Sequence, residues 1–199
     1  MIITKEKLIK LNACKDGYKY WLECNEPDLV KFMRRCIKDE KYKWAMWLFS
    51  RVVDKRTRTR SCIYSASLVL HIFEENYPHD NRPSDAIKAA RRWVNSTSEK
   101  NRRSAATSYY AAADAADNTA DNTAAAAAAN TAYSSAYYAA NTAYSSAYYA
   151  ANTAVTAAGA AYSTANTAAG DADTAADKKE LYIKIINHAI RLVKNGVKN

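Results

Sequence analysis

The sequence lacks the patterns that usually announce chemistry. Its cysteines, Cys14, Cys24, Cys36 and Cys62, are spaced by 10, 12 and 26 residues, so no CxxC pair exists. His71, His79 and His188 add no ligand spacing. A zinc site is therefore not expected, and buried free thiols in a reducing compartment are the simpler account of the cysteines. The N-terminus has no signal-peptide apolar core, and no stretch of about 18 large apolar residues occurs, which predicts a cytoplasmic protein without a membrane span. His79 beside Asp80 is the one pairing that suggests acid–base work. It has no identifiable nucleophile or pocket partner, so no catalytic residue, metal or cofactor is assigned and an enzyme is not expected.

A second absence organises the chain. Residues 104–177 contain no Lys or Arg, and Val155 is their one large aliphatic side chain. What stands there instead is 33 Ala and nine Tyr. Ala132 to Thr142 is an eleven-residue unit, and residues 143–153 repeat it identically. Weaker copies flank it, so Thr131, Thr142, Thr153 and Thr164 keep one spacing. Ala is the best helix former and eleven residues make about three turns, which predicts helix. At about 100° per residue, Ala132, Ala136, Ala139 and Ala140 share one arc, with Tyr133 and Tyr137 on one edge and Thr131, Ser135 and Thr142 on the other. Tyr138 points the opposite way with Ser134 and Asn141. The alanine stripe lets a second helix approach at the short end of the usual interaxial range of about 8–10 Å. One unbroken helix would run about 110 Å at ~1.5 Å per residue, so the segment is expected to fold back. The turn sites expected are Asp114–Thr123, the neighbourhood of Gly159, and Gly170 with Asp171 and Asp173.

Charge is divided along the same line. The net charge is +9, yet the six Asp of residues 104–177 give that segment −6 and leave +15 on the remainder. That asymmetry suits an acidic partner, nucleic acid or protein, and equally a solvated surface. All four Trp and all three Phe lie outside the Ala-rich segment. The expectation is an all-α, multi-helix bundle with tightly packed Ala-rich helices. Its parts are a basic helical core region at 1–103, the repeat helices at 104–177, and a C-terminal amphipathic helix at 178–199 that closes the core, forming one composite domain.

Taken in order, residues 4–14 read as a short helix with Ile3, Leu8 and Leu11 inward, ending near Asp16-Gly17, and Tyr18 to Cys24 as a further turn. Asn25 and Pro27 mark a helix start. Leu29, Phe32, Met33, Cys36 and Ile37 then form one buried face. Residues 41–53 repeat the pattern through Trp44, Trp47, Leu48 and Val52. The basic run Lys55–Arg60 reads as the join to a helix built on Cys62, Ile63, Ala66, Val69, Leu70 and Phe73. A cluster of arginines there, Arg56, Arg58 and Arg60, has the chemistry to grip phosphates or an acidic surface. Tyr77–Pro83 is a loop, and Pro83 opens a helix with Ala86, Ile87, Ala90 and Val94 inward. Ser96–Ser98 caps the next helix. Tyr182, Ile185, Ile186, Ala189 and Val193 build the last one, stopping at Gly196, with His188 on its flank as a structural histidine.

The segment Asp80-Asn-Arg82-Pro83-Ser-Asp-Ala86-Ile87-Lys-Ala89-Ala90-Arg91-Arg-Trp93, followed by an Ala-rich tail, resembles an immunity protein family of bacteria and phages. That family's pattern is a DxRP loop, an AIxAAR helix with an aromatic residue, and Ala-dominated helices; the resemblance covers roughly residues 40–175. Leu11–Gly17 similarly resembles a leader found on phage-encoded proteins. Family tails often mix His, Arg and Gln among the alanines, where this tail carries Tyr, Ser, Asn and Thr. The resemblance implies a non-enzymatic antagonist that neutralises or sequesters a protein partner, a toxin or a defence factor. Asp80, Arg82, Pro83, Ala86, Ile87, Ala90, Arg91 and Trp93 would be its structural motif. Tyr is favoured at interfaces, so Tyr133, Tyr137, Tyr138, Tyr144, Tyr148 and Tyr149 join Arg56, Arg58 and Arg60 as candidate contacts. The alternative is nucleic-acid binding by the basic half, and a remote one is ice binding by the threonine row, which Tyr138 and Tyr149 would roughen. An exposed Ala/Tyr stripe would also suit self-association into a homo-oligomer.

Overall fold

The computed structural model describes residues 1–118, 125–126, 128–129, 131–132 and 174–196, with side chains of the last stretch described from 178 onward. The repeat tyrosines, residues 143–153 and the turn sites at Gly159 and Gly170 lie outside these described residues. The described structure is all-α, as the sequence predicts. It runs through α1 (Lys5–Lys10), α2 (Lys15–Cys24), α3 (Leu29–Lys38), α4 (Tyr42–Val52), α5 (Lys55–Asn76), α6 (Arg82–Asn95), α7 (Glu99–Asp117) and α8 (Thr174–Gly196). Among the described residues a single antiparallel bridge joins Ile2 to Asp28 and ties the extended first residues to the start of α3.

Five of the described helix starts are capped by a side chain. Short polar side chains accept from the otherwise unpaired amides of the first turn. Thr4 accepts from Lys7, Asp28 from Lys31, Asp54 from Thr57 and Ser98 from Asn101. Cys14 does the same for α2 with its thiol, Sγ taking the Gly17 N–H at 3.4 Å. Three ends pass through the left-handed region without glycine, at Asn12 (φ 54°), Asn25 (φ 45°) and Glu40 (φ 57°).

Several boundaries differ from the sequence reading. Asp16-Gly17 does not end the first helix; it lies in the first turn of α2, where the Asp16 carboxylate complements the helix dipole. Pro27 precedes α3 rather than opening it. Asp28 is the cap, while the Pro27 carbonyl accepts from Ile3 N–H at 2.8 Å. The basic run is not a join: Lys55 to Arg60 are the first turns of α5, capped by Asp54. The expected ends at Asp114–Thr123 and Gly196 coincide with the observed last residues Asp117 and Gly196.

α5 divides the interior in two. Its Cys62, Val69, Ile72 and Phe73 join a cluster with Leu29, Met33 and Phe49 from α3 and α4 and with Ile185, Ile186, Ile190 and Val193 from α8. Its Ile63 and Ala66 join a second cluster with Ala86, Ile87, Ala90 and Trp93 of α6 and Ala105 and Ala112 of α7. Described alanines of the Ala-rich segment dock on both, Ala115, Ala125 and Ala129 on the first and Ala132 on the second. A helix buried on two sides cannot show one apolar stripe. Thr59, Ser61 and Ser65 are accordingly fully buried. Thr59 and Ser65 donate back to the carbonyls of Lys55 and Ser61.

Candidate functional site: a basic groove between α5, α6 and α8

Helical spacing builds the groove. Arg60, Tyr64 and Ser67 stand one and two turns apart on a face of α5. Arg91 stands one turn from Val94 and Asn95 on α6, and His188 one turn from Leu192 on α8. Together with Ile63 they line an open cleft of about 400 Å³. Two cations and two rings meet where the three helices diverge.

The side chains are held rather than loose. The Tyr64 ring lies flat on His188, centroids 3.9 Å apart and planes 6° from parallel. Arg91 Nη2 donates to Ser67 Oγ at 2.8 Å, and that hydroxyl donates in turn to the Ile63 carbonyl at 2.8 Å. The guanidinium of Arg91 is thereby fixed at the cleft edge with donors to spare. Arg60 is exposed on the facing helix. Burial, and then the charge of Arg191, push the His188 imidazole below its ordinary value, so it is neutral at neutral pH. A neutral stacked ring in a cleft that Arg60 and Arg91 also line accepts planar or anionic groups without adding a charge of its own.

The three arginines singled out from the sequence have separate fates. Arg58 is buried, 8 % exposed, and its Nη1 donates to the Ser50 carbonyl at 3.1 Å at the end of α4. Arg56 Nε donates to the Val94 carbonyl at 2.6 Å, closing the end of α6. Both serve the free carbonyls of a helix C-terminus. Arg60 alone faces the groove. Neighbouring Lys55 lies over the Trp93 ring, 4.6 Å from its centroid. Beyond the run, Glu99 is bonded by Arg102 at 2.6 Å and Arg103 at 3.0 Å. Those two hold its carboxyl down to about 2.

The DxRP-type loop is closed by a fork of hydrogen bonds. Arg82 Nε and Nη2 fork onto the Asp80 carboxylate at 2.9 and 2.6 Å, and the Arg82 amide donates to Oδ1 at 3.0 Å. The Arg82 side chain holds the Asp80 carboxyl below the usual range. The fork sets Pro83 at the first turn of α6, buried. Ala86, Ile87, Ala90 and Trp93 then pack inward, whereas Arg91 turns out to the groove. Exposed His79 lies just outside this fork. Among the cysteines, Cys36 and Cys62 are buried as expected, whereas Cys14 is exposed and Cys24 only half-buried. Among the described residues no group of three His, Cys, Asp or Glu side chains is placed to hold a metal ion, and no helix is long and apolar enough to cross a membrane.

Tyr64, Ser67, Asn95 and Leu192 are not singled out by the sequence, and His188 reads there only as a structural histidine, because none of them signals alone. The fold and the groove define an all-helical protein with a basic, aromatic-edged cleft on its surface. A family model described as Imm-5 like putative immunity protein matches residues 51–177, and the chain belongs to that family. The match spans α5, α6 and α7 and takes in both the Asp80–Arg82 fork and the Ala-rich segment. No curated protein and no solved structure matches the chain.

Proposed function

We propose that this immunity-family protein acts without catalysis, binding and sequestering a protein partner, a toxin or defence factor, through an acidic surface seated in the α5–α6–α8 groove. The observation that carries this reading is the convergence of Arg60 and Arg91 on the stacked Tyr64–His188 pair. Guanidinium forks pair with carboxylates in a fixed geometry, and Tyr and Arg are enriched where proteins meet. The repeat tyrosines Tyr133, Tyr137, Tyr138, Tyr144, Tyr148 and Tyr149 are proposed as a second contact set on sequence grounds alone.

A protein partner is favoured over nucleic acid because several arginines near the groove are already held by the protein's own groups. Arg56, Arg58, Arg82, Arg102 and Arg103 all bond groups of the protein itself. What is left at the groove is a compact pair of cations rather than a long phosphate-tracking stripe.

The test is affinity capture from bacterial lysate with the intact chain and with the double variant Arg60→Glu, Arg91→Glu, followed by expression of the captured protein in growing cells. The expected result is one protein held by the intact chain, bound at least about tenfold more weakly by the double variant, whose toxicity the intact chain relieves. Equal capture by both forms removes the groove from the reading. Recovery of nucleic acid alone, lost steeply with added salt, replaces the reading with the nucleic-acid alternative.

A further inference from the structure

A second cavity lies in the part of the chain that precedes the family match. It opens among α1, α2, α3 and α4 with a volume of about 280 Å³, and its apolar wall is Leu8, Trp21, Phe32, Trp44, Trp47 and Leu48. Three of the chain's four tryptophans therefore line one cavity. An apolar cavity of about 150 Å³ holds a benzene ring, and drug-sized pockets begin near about 300 Å³. The space fits one ring or two fused rings.

Its polar features point to the kind of ring. Trp21 is 8 % exposed, and its indole N–H, cut off from solvent, has no acceptor among the described residues. A buried donor left unpaired is costly, and native proteins keep few of them. Gly17 contributes by having no side chain: a Cβ there would come within 3.1 Å of Cys14 Sγ and 3.7 Å of Trp44 Nε1. Cations fringe the aromatic wall. Lys41 Nζ lies 5.5 Å from the Trp44 ring centroid and the Arg51 guanidinium 5.6 Å from that of Trp47. Exposed Lys43 lines the cavity itself and makes no ion pair with a described residue. Walls of indole select a flat apolar body, and the cationic fringe selects a negative group on it.

We propose that this cavity is a binding site for a small planar aromatic carboxylate, its ring among the indoles and its carboxylate met by Lys43. The site is independent of the groove and of the partner proposed for it. A soluble metabolite of this class would bind whether or not the groove is occupied.

The probe is 1-naphthoate, titrated into the full chain by tryptophan fluorescence and by calorimetry. Three of the four tryptophans line the cavity, and Trp93→Phe removes the signal of the one that does not, so that the fluorescence reports on the cavity. The expected result is saturable binding of one molecule with a Kd on the order of 10–100 µM. Ala13→Phe, which places a ring in the cavity from its wall, is expected to weaken binding at least tenfold. Lys43→Glu is expected to weaken 1-naphthoate about tenfold while leaving the neutral 1-naphthamide little changed. Absence of saturable binding to the intact chain overturns the proposal, as does equal affinity in Ala13→Phe. Should that variant lose its helical circular dichroism, the exposed Lys43→Glu decides alone: unchanged naphthoate affinity overturns the carboxylate site. Binding of a Phe-ended peptide with naphthoate silent likewise overturns it in favour of a partner's side chain.

Discussion

His188 shows how a single side chain couples the groove to stability. Burial holds its folded-state value below the ordinary 6.5, with Arg191 adding to the shift. Between those two values the unfolded chain binds more protons than the folded one. The stability tied to the neutral ring is therefore fully present above about pH 6.5 and is lost as pH falls through the depressed folded value. Arg60 and Arg91 share the groove with it, and none of these neighbours is an acid that would rescue the imidazolium. The melting temperature of the intact chain is expected to fall further between about pH 7 and about pH 5 than that of His188→Gln. Equal falls would show that the ring titrates as freely in the folded protein as in the unfolded chain. At this scale the sequence was only partly legible. Arg56, Arg58 and Arg60 look equivalent in a linear run, but on a helix Arg58 turns about 200° from Arg56 while Arg60 returns to within about 40° of it. Reading the run as a join hid that phase, and with it the burial of Arg58. His188 carries no signal of its own in the sequence, because its stacking partner, Tyr64, stands on a helix distant in sequence.

At the scale of elements, the pairing of α6 with α7 expresses what alanine does. Ala86, Ala89 and Ala90 on α6 and Ala105 and Ala112 on α7 are fully buried. Small side chains at the contact bring the two axes close, so there is no room for a larger one. Ala112→Leu is expected to destabilise the protein by about 1–3 kcal/mol through overpacking, which for a chain of this size lowers the melting temperature by roughly 2–10 °C. The same change at partly exposed Ala113 serves as the comparison and should move it little. A tolerated Leu at position 112 would mean that the alanine stripe is not a close-packed seam. Helix existence and facing were legible from the sequence in α3, α6 and α8, where large apolar residues recur at helical spacing, and at α6 Pro83 marks the first turn as well. They failed at α2 because a thiol did the capping and Gly17 was read as a stop. Its missing side chain instead makes room for the Cys14 thiol.

For the whole molecule, the family match and the physical unit do not coincide. The match covers residues 51–177, yet the face of α5 that carries Val69, Ile72 and Phe73 is covered by Leu29, Met33 and Phe49 and by Ile185, Ile186, Ile190 and Val193, all outside it. The groove is likewise incomplete without His188 and Leu192. The sequence pointed to this dependence, since its large apolar residues stand on both sides of a segment that is mostly Ala and cannot make a core alone. Burying Ile185, Ile186, Ile190 and Val193 contributes at most about 6–12 kcal/mol at roughly 1.5–3 kcal/mol per side chain. A whole domain of this kind holds only about 5–15 kcal/mol, so α8 alone accounts for a margin as large as the net stability. A chain restricted to residues 51–177 is accordingly expected to lack cooperative thermal unfolding and to bind a hydrophobic dye, while the full chain melts in one transition. A cooperative melt by the shorter chain would show that the second cluster, around Ala86, Ile87 and Trp93, suffices as a core. The first and last helices would then be additions to a self-standing immunity-family unit, and the groove, lacking its α8 wall there, would have to be sought as a site of the full-length protein only.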